Sequence, residues 1–282
     1  MNPGKAAGAA VMHIGILSVE LTVACRSRRV LGTLRDLFRF FPVELTRLGG
    51  NADFEVRERS GSYTLFEEGQ VLIDTDCRAY FTAWLEYRIF EELIHRESRH
   101  LLLHAGAVAG RNSGVVLSGE KGCGKTTLTA RLVQDGFSYL SDDTTALSFE
   151  NGKLVPLPRA LHIKDASALP ARGEFRLASY DGASSEYPAR YALPPASQVA
   201  RVPVEPSCVV FPSYKPGKRT RLRPLPGSLA AVLLARQAQN LPDHMPRGFE
   251  LIAKLVEKVP AYSLDYGHAD DALKRVRDLL GC

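Results

Sequence analysis

No stretch of these 282 residues is apolar for long enough to cross a membrane as a helix, which takes about 20 consecutive apolar positions. The nearest candidate, Ala6 to Cys25, is interrupted by His13, Ser18 and Glu20, so neither a signal peptide nor a membrane anchor is expected there. Cysteine is sparse and scattered. Cys25, Cys77, Cys123, Cys208 and Cys282 form no C-x-x-C pair and show no metal-ligand spacing, which excludes a zinc cage and fits a reducing, cytoplasmic setting. An Asn-Lys-x-Asp guanine-reading motif is absent as well, which weakens any GTPase reading. Polar tracts do not dominate: at 45% hydrophobic and 24% charged, the chain has enough apolar residues for one sizeable core and a smaller second one, which excludes disorder. The formal charge of +5 is modest; it suits a polyanionic ligand without naming one.

Against these absences stands one complete motif. Gly119-Glu120-Lys121-Gly122-Cys123-Gly124-Lys125-Thr126 matches the phosphate loop G-x-x-x-x-G-K-[ST]. Its flanks are those the physics requires, the apolar run Val115-Val116-Leu117 before it and a helix predicted from Lys125 to about Gln134 after it. Glycines let successive backbone N–H groups converge on a phosphate, and the helix N-terminus adds partial positive charge. Lys125 is expected to reach the β/γ oxygens of a nucleoside triphosphate and Thr126 to ligate magnesium. Cys123 lies inside the loop, where a helix N-terminus would lower its thiol pKa and make it oxidation-sensitive; the alternative is a small residue filling a variable position.

Helix 125–134 ends at Asp135-Gly136, and Phe137 to Leu140 reads as a short strand stopping at Asp142-Asp143, 17 residues after Lys125. A single crossover is expected to bring this strand beside the one preceding the loop, so that both aspartates emerge at the phosphate edge. One would then serve the metal and the other accept a proton from an attacking hydroxyl, as phosphoryl transfer requires. Two adjacent carboxylates also raise one another's pKa, which suits a base. Beyond them, Asn151-Gly152 between β-prone runs predicts a hairpin.

Two further features bear on the site. His104 ends the apolar strand Leu101 to Leu103; if that strand lies beside the loop strand, the imidazole reaches the γ-phosphate region, and otherwise it is a core or edge histidine. After the turn Pro216-Gly217, Arg219, Arg221 and Arg223 follow at strand spacing, so their guanidinium groups would share one face able to grip phosphate or an acidic peptide, unless the run is a solvated hairpin. No aromatic-rich surface accompanies this cluster, so nucleic acid is not the expected partner.

The amino-terminal part reads as one or two strands over 11–24, a strand or helix over Arg28 to Phe40, and a β-meander from Phe54 to Ile73 with turns at Ser60-Gly61 and Glu68-Gly69. An amphipathic helix follows from Arg78 to Glu97, its stripe of Tyr80, Trp84, Tyr87, Ile89, Phe90, Leu93 and Ile94 expected in the core. The chain is divided near residue 96 into a small α+β subdomain, 1–96, and a phosphate-loop core, 97–282. Within the core, residues 165–207 are rich in Pro, Ser, Ala and Arg and read as a long loop or flap, and two helices, Gly248 to Lys258 and Ala269 to Leu280, flank the strand Ala261 to Tyr266.

The stretch Leu101 to Val108, the loop, and Tyr139-Leu140-Ser141-Asp142-Asp143, in this order and spacing, resemble the catalytic core of HPr kinase/phosphorylase. The resemblance is closer to the HPr-kinase-related kinases of peptide maturation, including those acting on lasso-peptide precursors. Leu157-Pro158-Arg159, Leu161 to Asp165, Val209 to Tyr214 and Val259 to Tyr262 add to it. It implies an α/β core shared with ATP-dependent phosphoenolpyruvate carboxykinase, a mixed sheet with flanking helices, and a kinase that uses ATP and Mg2+ to phosphorylate a serine or threonine of a peptide or small protein. A ring-like homo-oligomer is implied too. Carried over, Lys125 is the phosphate lysine, Thr126 and Asp143 serve the metal, Asp142 is the expected base, and His104 lies near the γ-phosphate; the order of the two aspartates stays open. Nucleotide contacts fall on Gly119, Glu120, Lys121, Gly122, Cys123, Gly124, Lys125, Thr126 and Thr127, with Arg219 and Arg221 as added grips. The Glu-x-Arg-Gly signature of true HPr kinases is missing, which leaves a second metal ligand to Asp165 or Glu174, and the amino-terminal part differs, which separates the acceptor from HPr. A small-molecule kinase or carboxykinase-like enzyme and a non-catalytic nucleotide-gated binding protein remain the alternatives.

Overall fold

The computed structural model describes residues 10–47, 51–110, 113–163, 175–179 and 190–280. In chain order the elements are β1 (Ala10–Ile16), β2 (Val19–Cys25), α1 (Arg28–Leu37), β3 (Val43–Arg47), β4 (Phe54–Arg59), β5 (Ser62–Glu67), β6 (Gln70–Thr75), α2 (Arg78–Arg96), β7 (His100–Leu103), β8 (Ala105–Ala109), β9 (Ser113–Ser118), α3 (Lys125–Gln134), β10 (Ser138–Ser141), β11 (Thr145–Ser148) and β12 (Leu154–Val155). There follow β13 (Leu161–Ile163), β14 (Arg176–Ser179), β15 (Arg190–Leu193), β16 (Glu205–Tyr214), β17 (Arg221–Leu225), α4 (Gly227–Gln237), α5 (Arg247–Lys258), β18 (Ala261–Tyr266) and α6 (Ala269–Leu280). The chain forms two compact units, Met1–Glu97 with Leu177–Tyr191, and Ser98–Arg176 with Ala192–Cys282. No helix among the described residues is long and apolar enough to cross a membrane.

The first unit holds a six-stranded sheet in the order β3-β1-β2-β4-β5-β6. Its hairpins turn at Ser60-Gly61 and Glu68-Gly69, where both residues of each pair take positive φ, the twist that matches two antiparallel strands joined by a two-residue loop. Helix α2 packs on β2, β5 and β6, and the expected stripe is buried at Ile89, Phe90 and Leu93 but not at its aromatic Tyr87. Phe81, Leu85, Ile89, Phe90 and Leu93 are buried, with the Phe81 ring stacked on Tyr63 at 5.1 Å, whereas Tyr87 is exposed. Tyr80, Trp84 and Tyr87 form an edge-to-face ladder on the flank of the helix, one turn apart, so helical spacing alone did not identify the inward face.

The second unit is built on a mixed six-stranded sheet in the order β10-β8-β9-β16-β18-β17. Strands β9, β16 and β18 are parallel, while β8, inserted between β9 and β10, runs antiparallel to both. The expected crossover from β9 through α3 therefore does not return the chain to the strand next to β9; β8 takes that place, and β10 pairs beyond it. Strand β7 belongs to a separate three-stranded sheet, β12-β11-β7, in which the Asn151-Gly152 hairpin joins β11 to β12. Helices α3 and α6 pack together, α3 against β8, β9 and β10. A core of Leu101, Leu103, Ala107, Val116, Leu147 and Val209 is closed by Ala230, Leu234, Ile252 and Leu255 of α4 and α5. The segment expected as a flap carries β14, β15, a short 3-10 turn at Ala196–Gln198 and the start of β16 among its described residues; residues 165–174 and 180–189 lie outside them.

Candidate active site

The loop after β9 is shaped by what its glycines omit. Gly122 and Gly124 have φ of 87° and 98°, left-handed values that cost a side chain strain, and a Cβ on Gly124 would lie 1.9 Å from the Tyr266 hydroxyl oxygen. Gly124 is the N-cap of α3, so the free N–H groups of the first helical turn open toward the loop. Glu120, Lys121 and Gly122 are exposed, and Cys123, Gly124, Thr126 and Thr127 are half-buried. Lys125 is only 6% exposed: its Nζ donates to the carbonyls of Gly119 at 2.7 Å and Glu120 at 3.1 Å, folding back over the loop whose ligand it would hold. Burial raises the Cys123 thiol above its ordinary pKa, with the Lys125 charge only partly opposing, in keeping with a small residue that fills a variable position of the loop.

His104 occupies the break between β7 and β8, its backbone N–H donating to Gln237 O at 2.7 Å. Its ring spans two site groups. Nε2 lies 3.1 Å from Lys125 Nζ, and Nδ1 lies 3.1 Å from the Asp143 carbonyl oxygen and 3.3 Å from its Oδ1. A lysine ammonium only donates and a carbonyl only accepts, so a neutral imidazole protonated on Nδ1 satisfies both contacts. Burial lowers the His104 pKa, and the Lys125 and Arg159 charges add to that against the pull of Asp143. The ring is thus a neutral bridge in this state, rather than a cation.

The two aspartates face different ways. Thr126 Oγ1 donates to Asp142 Oδ2 at 2.9 Å, and Asp142 is 2% exposed, with Oδ1 buried and without a hydrogen-bond partner among the described residues. Gly106 leaves the room for it: a Cβ there would come within 3.3 Å of Oδ1 and 2.5 Å of Thr129 Oγ1. Burial, then the neighbouring Asp143 charge, push the Asp142 carboxyl up to about 7, against the Thr126 hydrogen bond and the charges of Arg159 and Lys125. Asp143 instead has a half-exposed side chain, with φ of 66°, and its carboxylate sits 3.6 Å from Arg159 Nη1 as well as beside His104. The hydrogen-bond partner of Thr126 is thus Asp142, while Asp143, the aspartate expected from sequence on the metal side, faces His104 and Arg159.

The donors on the inner side are hard oxygens, which suit magnesium, and the 2.9 Å between Thr126 Oγ1 and Asp142 Oδ2 fits two neighbouring ligands. In an octahedral ion with bonds of roughly 2.0–2.1 Å such ligands lie about 2.9 Å apart. Among the described residues no group of three His, Cys, Asp or Glu side chains forms a closed metal cage, and Asp165 and Glu174 lie outside those residues.

Arg159 is the residue whose role sequence reasoning missed. It is 9% exposed and its backbone carbonyl accepts from the Tyr139 hydroxyl at 2.7 Å, which fixes it beneath the acid pair. The only signal was its place in Leu157-Pro158-Arg159, where an isolated arginine reads as surface. Arg219 and Arg221 lie on the far side of the sheet from the acid pair. Strand β17 begins at Arg221, so Arg219 lies in the irregular segment between the Pro216-Gly217 turn and the strand, and Arg223 is tied to Asp265 at 3.5 Å. Three strand spacings, about 14 Å, separate β17 from β9, the strand that precedes the loop.

No family model and no curated protein matches the chain. Among solved structures, the Hpr(Ser) kinase/phosphatase from Coxiella burnetii is similar at 13% identity over 64% of this chain and 93% of that one, with a TM-score of 0.30. A likeness so remote leaves the chemistry of this site to be read from its own residues.

Proposed function

We propose that the protein is an ATP-dependent kinase that transfers the γ-phosphoryl group to a serine or threonine hydroxyl of a peptide or small protein. The observation that carries this reading is the hydrogen bond from Thr126 of the phosphate loop to Asp142 at 2.9 Å, which joins a triphosphate grip to an acid pair. Lys125 exchanges the carbonyls of Gly119 and Glu120 for phosphate oxygens, and the backbone N–H groups at the start of α3 hold the rest of the phosphate chain. Thr126 and Asp142 would hold magnesium, which when bound neutralises charge across the β- and γ-phosphates.

Access favours Asp143 over Asp142 as the base. The raised pKa of Asp142 suits a base, but a 2% exposed carboxyl tied to Thr126 is out of reach of an incoming hydroxyl, and a base must lie within hydrogen-bond distance of the proton it takes. Asp143, half-exposed and oriented by His104 and Arg159, takes that role in our reading. The acceptor oxygen attacks the γ-phosphorus in line, the bond to the bridging oxygen of the leaving ADP breaks, and the hydroxyl proton passes to Asp143.

The test is incubation of the full chain with Mg2+ and γ-labelled ATP, together with proteins and peptides encoded beside it, followed by mass spectrometry. A phosphoserine or phosphothreonine on a macromolecule supports the reading. Label confined to a small product favours a small-molecule kinase, and ATP binding without transfer to any acceptor abandons catalysis altogether.

A further inference from the structure

The residues described so far account for the phosphate end of a nucleotide and leave its base without a partner. Strands β9, β16 and β18 are parallel, so their carboxyl ends share one edge of the sheet, where open α/β sheets collect ligands. His104 and the acid pair lie on the β8 and β10 side of β9, whereas β16 and β18 lie on the other. A nucleotide with its γ-phosphate at His104 and Asp143 therefore extends its base across the ends of β16 and β18. Those ends are Tyr214 and Tyr266, direct register partners.

The two tyrosines are built into the rim of the loop. Tyr214 N–H donates to Cys123 O at 3.1 Å, and the Tyr266 hydroxyl donates to Gly124 O at 3.2 Å. Their rings pack with centroids 5.4 Å apart. The turn that follows folds back onto the same place: Lys215 N–H donates to Tyr266 O at 2.9 Å, and Gly267 must lack a side chain because a Cβ would fall 2.5 Å from Lys218 O. Tyr266 is 1% exposed and spent on this packing, whereas Tyr214 keeps 45% of its surface in solvent. A large ring held on a rigid ledge with nearly half its surface open offers a stacking partner at little entropic cost.

We propose that Tyr214 is the platform on which the nucleobase stacks. This rests on the nucleotide reading above and adds the residue that distinguishes a nucleotide from a bare polyphosphate. The competing role is a mere prop for Gly124, but the contact Tyr214 makes there is through Cβ, 3.2 Å from the position a Gly124 side chain would take, and Cβ survives truncation to alanine.

Calorimetry of Mg-ATP and Mg-tripolyphosphate binding to wild type, Tyr214→Ala and Tyr214→Trp separates these roles. Stacking predicts that Tyr214→Ala weakens ATP about tenfold, that Tyr214→Trp stays within about threefold of wild type, and that tripolyphosphate binds all three alike. Unchanged ATP affinity in Tyr214→Ala overturns the platform while leaving the kinase reading intact, and so does a parallel loss of ATP and tripolyphosphate, which marks the ring as a prop. Wild-type protein that binds neither ligand overturns the nucleotide reading and the platform with it.

Discussion

Thr126 and Asp142 are joined by a 2.9 Å hydrogen bond that links the first turn of α3 to the end of β10, two elements whose strands are separated in the sheet by β8. The bond uses one carboxylate oxygen and leaves the other, Oδ1, buried and unpartnered among the described residues. A buried acceptor without a partner costs free energy unless a proton or a cation satisfies it, which is why burial favours the protonated form of Asp142. The consequences for activity and stability can be measured separately.

Exchange of Asp143 for Asn is expected to lower phosphoryl transfer by about 10²-fold or more, the scale of a general base, while ATP affinity stays within a few-fold of wild type. Single-turnover transfer beside equilibrium ATP binding checks this. Full transfer by the variant would return the base role to Asp142.

Asp142→Asn is expected to stabilise the ligand-free protein at alkaline pH. The folded-state pKa of Asp142 is raised from 3.8 to about 7, so between those values the folded chain keeps a proton that the unfolded chain releases, and stability falls as pH rises through that window. The Asn variant lacks the fall. Its advantage over wild type is on the order of 1 kcal/mol or more at pH 8 and vanishes near pH 4, read from denaturant melts in chelator. Parallel pH profiles for the two proteins would show that Asp142 is not held in the protonated form.

Arg159 acts through Asp143, which its guanidinium approaches at 3.6 Å, so it is a positioning residue. Arg159→Gln is expected to lower the transfer rate about tenfold or more with little change in ATP affinity, and Arg159→Lys to restore part of it, because a lysine keeps the charge but not the planar fork. Loss of ATP binding in step with the rate would instead mark a purely structural arginine.

Gly124→Ala is expected to abolish nucleotide binding, because the new Cβ lies 1.9 Å from the Tyr266 hydroxyl oxygen at a φ of 98°. Adding Tyr266→Phe removes the closest atom and leaves the left-handed backbone strain, of order 1 kcal/mol, so binding returns in part. Equal ATP affinity for the single and double variants would show that the hydroxyl is not what excludes a side chain.

Much of this was readable before any fold was known, and for a local reason. Glycines at 122 and 124, the Lys125-Thr126 pair and the Asn151-Gly152 turn each express a backbone rule that acts within a few residues, so the loop, the start of α3 and the hairpin appear where those residues stand. Helix α4 was not anticipated, since its apolar residues gave no clear stripe, and of the stripe expected on α2 the aromatics Tyr80, Trp84 and Tyr87 flank the buried Ile89, Phe90 and Leu93.

The roles of the neighbours Asp142 and Asp143 lay beyond that horizon. Consecutive residues leaving a strand point to opposite sides, and which side is interior depends on β8 lying between β9 and β10 and on Gly106 opening space for one carboxylate. The same long-range packing brings Arg159 back beneath Asp143, sets His104 between Lys125 and Asp143, and keeps Arg221 three strands away from the loop strand. The phosphate-loop motif is set by eight consecutive residues, because backbone geometry is local; the different surroundings of the two acids are set by burial, which belongs to the assembled sheet.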